Sequence, residues 1–289
     1  MSEELPGDTG PIFHDYPALL MKNDTRFRRR IVLKRSCSTF YEVPSLNVAC
    51  KIGKDIVQGL NLLREAGFIH RDISGGNCLF YLDEETKRRC GKIADLEYCK
   101  EYLKIGAHDP ISGTKDFMAV EVEKRSFFAP SGRLPFKPEF HRHYLHDLES
   151  LYWLMVWCAF VLVPDGIQQV DVEMWEKAFF ELFPLDTSEN ISRKAEMLYC
   201  PGELSYVLDK SGWDSDTLNV LEDLFDLGND FRNEYVRLQK IPQEESGGRR
   251  WAQEHFNADI YDKFSKVLDS VGSRLPPGKQ QTMWKIRGS

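Results

Sequence analysis

The chain has 289 residues, 42% hydrophobic and 12% aromatic, with a formal net charge of −7. That composition can bury a core without a disulfide or metal staple and argues against a disordered chain. The negative balance argues against nucleic acid or an anionic membrane as a partner, yet allows a small anionic ligand held through a metal ion.

In chain order, residues 1–28 read as a flexible lead-in, since acids, prolines and glycines stand where a signal peptide would show an apolar core. The seven cysteines, Cys37, Cys50, Cys78, Cys90, Cys99, Cys158 and Cys200, form no C-x-x-C pair. They read as reduced thiols and place the chain inside the cell, in cytoplasm or nucleus. RFRRRIVLKR, Arg26 to Arg35, reads as a strand centred on Ile31, Val32 and Leu33, against the alternative of a basic docking or localisation patch. Ser45 is a candidate N-cap, and Ile52, Ile56, Val57, Leu60 and Leu63 recur at helical spacing up to Gly67.

Two short apolar segments, Cys78–Leu82 and Lys92–Leu96, flank the polar tip DEETKRR and predict a β-hairpin. A polar, glycine-containing loop over 97–121 and a second polar stretch, Lys124–His143, lead to HDLESLYWLMVWCAF. That segment is apolar on nearly every face, which predicts a central buried helix. Its uncharged run, Leu151–Val163, falls short of the roughly 20 residues a bilayer needs. Further helices are predicted over Val172–Phe183, Asp216–Leu227 and Trp251–Val271, with IPQEESGGRR a loop and 273–289 a loose tail. Strands early and helices later give an α+β, mainly helical domain over 29–272, without internal repeats.

Between the first helix and the hairpin lies GFIHRDISGGNCLF, Gly67 to Phe80. Asp72, Asn77 and Asp95 supply hard oxygen ligands from this loop and the end of the neighbouring strand, a set that suits Mg2+. A carboxylate left free of the metal accepts a proton from an attacking hydroxyl or aims it. His70, beside Ile69, reads as packed and hydrogen-bonded rather than as a ligand. Singly, Asp and Asn are ordinary turn residues. Their joint order is that of a protein-kinase catalytic core: His-Arg-Asp, Asn five residues after the Asp, then a strand-ending Asp before a polar loop. In HRHYLH, His141 to His146, only His143 and His146 have loose metal-ligand spacing. Without an obvious acidic or Cys partner, the stretch reads as a polar loop entering the central helix.

The segment from about Arg30 to Phe160 resembles the protein-kinase superfamily and, more narrowly, the fungal-type protein kinase family. That family's HRDISxGN, ADLE, GT…FMAVE and HDLES occur in order at His70–Asn77, Ala94–Glu97, Gly113–Glu121 and His146–Ser150. The resemblance implies a protein kinase-like fold, here mostly the C-terminal lobe with a small β-hairpin. It also implies ATP- and Mg2+-dependent phosphoryl transfer to Ser/Thr hydroxyls of a protein substrate. On that resemblance Asp72 orients the substrate hydroxyl, and Asn77 and Asp95 hold Mg2+ and with it ATP. Arg71 pairs with a phosphorylated activation loop, and Thr114 buttresses the catalytic Asp beside the peptide site. Glu121 closes the activation segment, usually through a salt bridge, and Asp147 holds the catalytic loop by its backbone.

Two positions depart from the general kinase pattern. Ser74 stands where Ser/Thr kinases commonly have a lysine, a serine that the fungal-type family shares, and Glu97 replaces the glycine of D-F-G. Upstream of His70 there is no G-x-G-x-x-G, and Lys34 in IVLK imitates the strand lysine with too little chain after it for the partner-glutamate helix. The expectation is therefore a catalytic lobe with little of the nucleotide-clamping lobe, which would weaken phosphate positioning. Two rivals stand beside a kinase: an inactive pseudokinase or lobe fragment acting as a protein-interaction module, and a small-molecule phosphotransferase. The platform-like Gly113–Glu121 segment speaks against the second.

Overall fold

The computed structural model describes residues 2–3, 30–31, 36–104, 112–127, 140–164, 172–184, 193–210, 213–241, 251–275 and 280–282. Contacts divide the chain into two units, Met1–Cys37 and Ser38–Ser289. In the first, β1 (Ser2–Glu3) pairs antiparallel with β2 (Arg30–Ile31). Val32 and Leu33 of the predicted strand, and most of the lead-in over 1–28, lie outside the described residues.

The second unit opens with β3 (Ser38–Thr39), a 3₁₀ turn at Phe40–Glu42, and α1 (Leu46–Glu65). Ser45 caps α1 by accepting the Val48 N–H at 3.4 Å. The predicted stripe faces inward: Ile52, Ile56, Val57 and Leu60 are buried, and Leu63 packs partly against the same core. The helix ends as predicted, with Gly67 at φ 83°, a left-handed position that glycine adopts without a Cβ penalty.

Then come β4 (Phe68–Ile69), β5 (Cys78–Leu82), β6 (Arg89–Ile93) and β7 (Lys100–Glu101). β3, β5 and β6 form one antiparallel sheet in that order, and β4 pairs with β7. The hairpin forms, but its second strand is Arg89–Ile93 and not the expected Lys92–Leu96. Asp83 closes the turn early by accepting the Glu85 and Thr86 N–H groups at 3.1 and 2.9 Å, which sets the register from Leu82↔Arg89 to Cys78↔Ile93. Arg89 is exposed as the first residue of the strand, and Lys92 occupies its solvent side. On the other side Gly91 lies directly on α1: a Cβ there would be 2.7 Å from the Ile52 carbonyl oxygen and 3.0 Å from Asp55 Cβ.

Among the described residues, the remaining regular elements are helices apart from one short strand pair. They include α2 (Val120–Lys124), α3 (Tyr144–Val161), β8 (Leu162–Pro164), α4 (Val172–Leu182), α5 (Lys194–Tyr199), α6 (Gly202–Lys210), α7 (Ser215–Gln239), α8 (Asp259–Arg274) and β9 (Gln280–Thr282). α3 buries all its residues except Ser150 and Trp157, as its uniformly apolar surface requires, and packs against α1 and α7. α7 runs well past the predicted end at Leu227. Gly228 does not terminate it; a Cβ there would stand 3.0 Å from Tyr152 Oη, so the glycine admits α3 at close range. The stretch 251–258 is a turn containing a 3₁₀ segment, so α8 starts later than predicted. The segment expected as a loose tail from 273 instead continues α8 to Arg274, buries Leu275, and contributes β9, which pairs antiparallel with β8. Parts of the predicted loops at 97–121, 124–143 and 241–250 lie outside the described residues. The architecture is α+β and mainly helical. The seven cysteines are free, and among the described residues no helix is long and apolar enough to cross a membrane.

The backbone contact at Gly91 generates a stability prediction. Gly91→Ala forces the strand off α1 and should destabilise the protein by about 1–3 kcal/mol in denaturant unfolding. Gly202→Ala, where nothing lies within 4 Å of the added carbon, should change stability by less than about 0.5 kcal/mol.

Candidate active site

The first turn of α3 supplies the site's foundation. Asp147 is buried there, and its carboxylate accepts the backbone N–H groups of His70 at 2.6 Å and Arg71 at 2.9 Å. Burial raises this carboxyl above the ordinary range, against the pull of His70 and the two amides. Arg71 is held at φ 78°, a left-handed conformation costly for a bulky residue. Arg142 fastens it from the other side, donating Nη1 to the Arg71 carbonyl at 2.6 Å and Nη2 to the Ser112 carbonyl. Gly113, at φ 121°, sits where a Cβ would be 3.1 Å from that same Arg71 carbonyl oxygen.

His70 is fully buried. Its Nδ1 accepts the Asp72 N–H at 3.3 Å, and its Nε2 donates to the Ala94 carbonyl at 2.8 Å. One tautomer, protonated on Nε2, satisfies both contacts. The residue is a packed, hydrogen-bonded strut between the loop and the end of β6.

The side chain of Asp72 is held at both oxygens. Oδ1 accepts from the Thr114 N–H at 2.9 Å and from Thr114 Oγ1 at 3.0 Å. Oδ2 accepts from Asn77 Nδ2 at 3.0 Å, and the same Nδ2 donates to the Asp72 carbonyl at 3.0 Å. With its amine end turned to Asp72, Asn77 presents its amide oxygen elsewhere. The Asn77 carbonyl accepts the Ala94 N–H at 2.8 Å, which draws the end of β6 to the loop and sets Asp95 next in the chain. Asp95 is exposed, at φ 59° and ψ 47°, with no side-chain capping bond. The structure thus brings Asp72, Asn77 and Thr114 into direct contact, with Arg71 and Asp95 at the two backbone joints beside them.

The two departures are also placed. Ser74 is buried, its hydroxyl accepting the Asn77 N–H at 3.3 Å, so it braces the loop internally. Glu97 is exposed in the 3₁₀ turn Leu96–Tyr98. Gly75 leaves room for Tyr41, since a Cβ there would lie 2.4 Å from the tyrosine ring.

His143 and His146, which have no obvious acidic partner in the sequence, do have one in the structure. Glu121 of α2 is fully buried, and both Nε2 atoms lie 3.1 Å from its Oε2, with the two rings stacked at 3.7 Å between centroids. His146 Nδ1 accepts the His143 N–H at 3.0 Å, so the His146 proton sits on Nε2 and is donated to the carboxylate. That atom is therefore a donor rather than a metal ligand. The joint expected to be a salt bridge is a carboxylate facing imidazole N–H groups. Nothing in the sequence joins these residues, since they meet only when α2 folds onto the start of α3.

A second buried carboxylate, on α3, has no local signature in the sequence. Glu149 accepts from the Val120 N–H at 2.9 Å, from Trp153 Nε1 at 2.8 Å and from the Tyr235 hydroxyl. Burial pushes it up to about 7. For Glu121 burial also acts upward, but donation from His143 and His146 outweighs it and holds the carboxyl at about 2. Burial, with His143 alongside, lowers His146 to about 3.

A family model described as fungal protein kinase matches residues 9–159, more than half of the chain. The match takes in the Asp72 loop, the hairpin, α2 and most of α3.

Glu121, His146 and Glu149 all contribute to the acid response, as does Asp147, whose burial-raised carboxyl acts in the same sense as Glu149. Glu121 titrates at about 2 in the native protein against an ordinary 4.5, so its contribution is present above 4.5 and lost as pH falls toward 2. His146, at about 3 against 6.5, favours the unfolded chain progressively as pH falls from 6.5 toward 3. Glu149, at about 7 against 4.5, acts oppositely: the native state holds a proton that the unfolded chain lacks, so stability rises as pH falls from 7 to 4.5. Tm should not decline as pH falls from 6.5 to 4.5 and should fall below that. In Glu149→Gln part of the counterweight is gone, and calorimetry should show Tm dropping relative to wild type as pH falls from 6.5 to 4.5.

Proposed function

This chain belongs to the fungal protein kinase family, and we propose that its Asp72 loop transfers the terminal phosphoryl group of ATP, with Mg2+, to Ser or Thr hydroxyls of a protein. The observation that carries this reading is the double restraint on Asp72, with Thr114 on Oδ1 and Asn77 on Oδ2. A carboxylate held at both oxygens has a fixed heading, which is what orienting a substrate hydroxyl and receiving its proton require.

Asn77, through its amide oxygen, and Asp95 are the residues that would hold Mg2+. Their hard oxygens suit an ion that keeps several waters and phosphate oxygens in its shell. When bound, the ion neutralises charge developing on the phosphates. The acceptor oxygen attacks the γ-phosphorus, the bond to the β,γ-bridging oxygen breaks, ADP leaves and the hydroxyl proton passes to Asp72. Arg71, fixed through its own backbone on both sides, is the candidate partner for a phosphorylated activation segment. Thr114 joins Asp72 to the turn Lys115–Phe117, and this platform beside the acceptor position favours a peptide over a small molecule.

The test is phosphotransfer by the purified chain to a peptide array at saturating Mg–ATP, alongside thermal unfolding. Asp72→Asn should lower transfer by about 10²–10⁴-fold while keeping the fold. Ligand at a hundred times its Kd should stabilise wild type by about 2.7 kcal/mol, and Asp95→Asn should lose that shift. Absence of transfer by a folded, Mg–ATP-saturated wild type would overturn the proposal in favour of an interaction module. Phosphorylation confined to sugars, amines or simple alcohols would overturn the protein-substrate assignment.

A further inference from the structure

α5 begins with two basic residues that point in opposite senses. Arg193, at its N-cap, lies on the outside, donating to Glu181 of α4 at 2.7 Å, to Glu196 at 2.7 Å and to Glu203 of α6 at 3.2 Å. Lys194 goes inward and is fully buried. Its Nζ donates to the carbonyls of Lys115 at 3.1 Å and Met118 at 3.3 Å, and stands 5.9 and 6.0 Å from the ring centroids of Trp153 and Phe183. Asp116, Glu123 and Glu149 are the acids whose charges reach it.

Those two carbonyls bracket the turn Lys115–Phe117. The turn is otherwise closed by the Phe117 N–H on the Thr114 carbonyl at 3.0 Å and the Met118 N–H on the Lys115 carbonyl at 3.2 Å. Its first flank is Thr114, whose N–H and hydroxyl both hold Asp72. Burying an ammonium is costly unless its donors are satisfied. An apolar side chain could fill the space between Trp153 and Phe183 without that cost, but it could not hold two carbonyls. The lysine therefore does what packing alone does not: it fixes where both ends of this turn lie.

We propose that Lys194 is a positioning residue for the protein-acceptor platform, through which α4, α5 and α6 set acceptor binding at the Asp72 site. The path is short: Arg193 moors α5 to its neighbours, Lys194 holds the turn, and the turn carries Thr114 against Asp72. This inference rests on the phosphotransfer reading of Asp72, but its structural half can be measured without turnover.

The experiment compares full-length wild type, Lys194→Met and Lys194→Arg by amide hydrogen exchange and by steady-state kinetics. Lys194→Met keeps the length of the stem and removes the donors. Exchange at the amides of Phe117 and Met118 should quicken by about tenfold or more, with α1 amides unchanged. The acceptor KM should rise by a similar factor at unchanged ATP KM, and Lys194→Arg should recover part of both. Lys194→Gln, polar but shorter, gives the same readings if the methionine variant does not fold. Unchanged exchange in the turn, or acceptor and ATP KM rising together, would overturn the proposal. A wild type that transfers no phosphate would sink the kinase reading, while the exchange data would still decide whether Lys194 holds the turn.

Discussion

Two backbone amides pointing at one buried carboxylate hold the site in place. Asp147 belongs to α3, which is enclosed on almost every side, so the carboxylate has the fixity of the core itself. Its bonds to His70 and Arg71 transmit that fixity to a loop that Ile73 also anchors in the apolar core. The strained φ of Arg71 persists because it is over-determined, by Asp147 on one side and Arg142 on the other. Asp72 follows directly and inherits its starting direction from this joint. Thr114 and Asn77 then set the carboxylate's heading.

The start of α3 concentrates polar groups where the remainder of the helix is apolar. Glu149, Asp147 and His146 are buried there, facing Val120, the His70–Arg71 backbone and Glu121 respectively. Buried charge of this kind does not by itself stabilise a fold well compared with apolar packing. What it provides is direction. Each carboxylate here is matched to specific N–H or O–H donors, most of which lie on another segment than the carboxylate itself. The Asp72 loop, the segment after Gly113, α3 and α7 come together in an arrangement that satisfies these carboxylates.

How much of this could be read in advance depended on whether a signal was local. The stripe of α1 and its glycine end were legible because 3.6-residue periodicity and a left-handed stop are properties of contiguous chain. The second hairpin strand was displaced because its register is decided by Asp83 closing the turn, while a strand with one wet face need not look apolar. α5 and α6 were too short to establish a period, and the packing of Gly228 against Tyr152, within the part of α7 beyond Leu227, joins residues far apart in sequence. In the site, Asp72 and Asn77 could be paired by spacing alone. The cluster of Glu121 with His143 and His146, the support of Val120 by Glu149 and the reach of Lys194 to Lys115 depend on tertiary contacts. No window of sequence contains them.

The molecule is fastened in two ways that respond differently to ionic strength. Arg193 ties α5 to α4 and α6 through partly exposed ion pairs, which dissolved counter-ions can reach and screen. Glu121 meets His143 and His146 where all three side chains are shut away from solvent, so no counter-ion atmosphere forms around them. In concentrated salt the outer moorings of the helical region slacken first, while the joint between α2 and α3 keeps its strength. The polar joint at the start of α3 is thereby insulated from the ionic conditions of its surroundings.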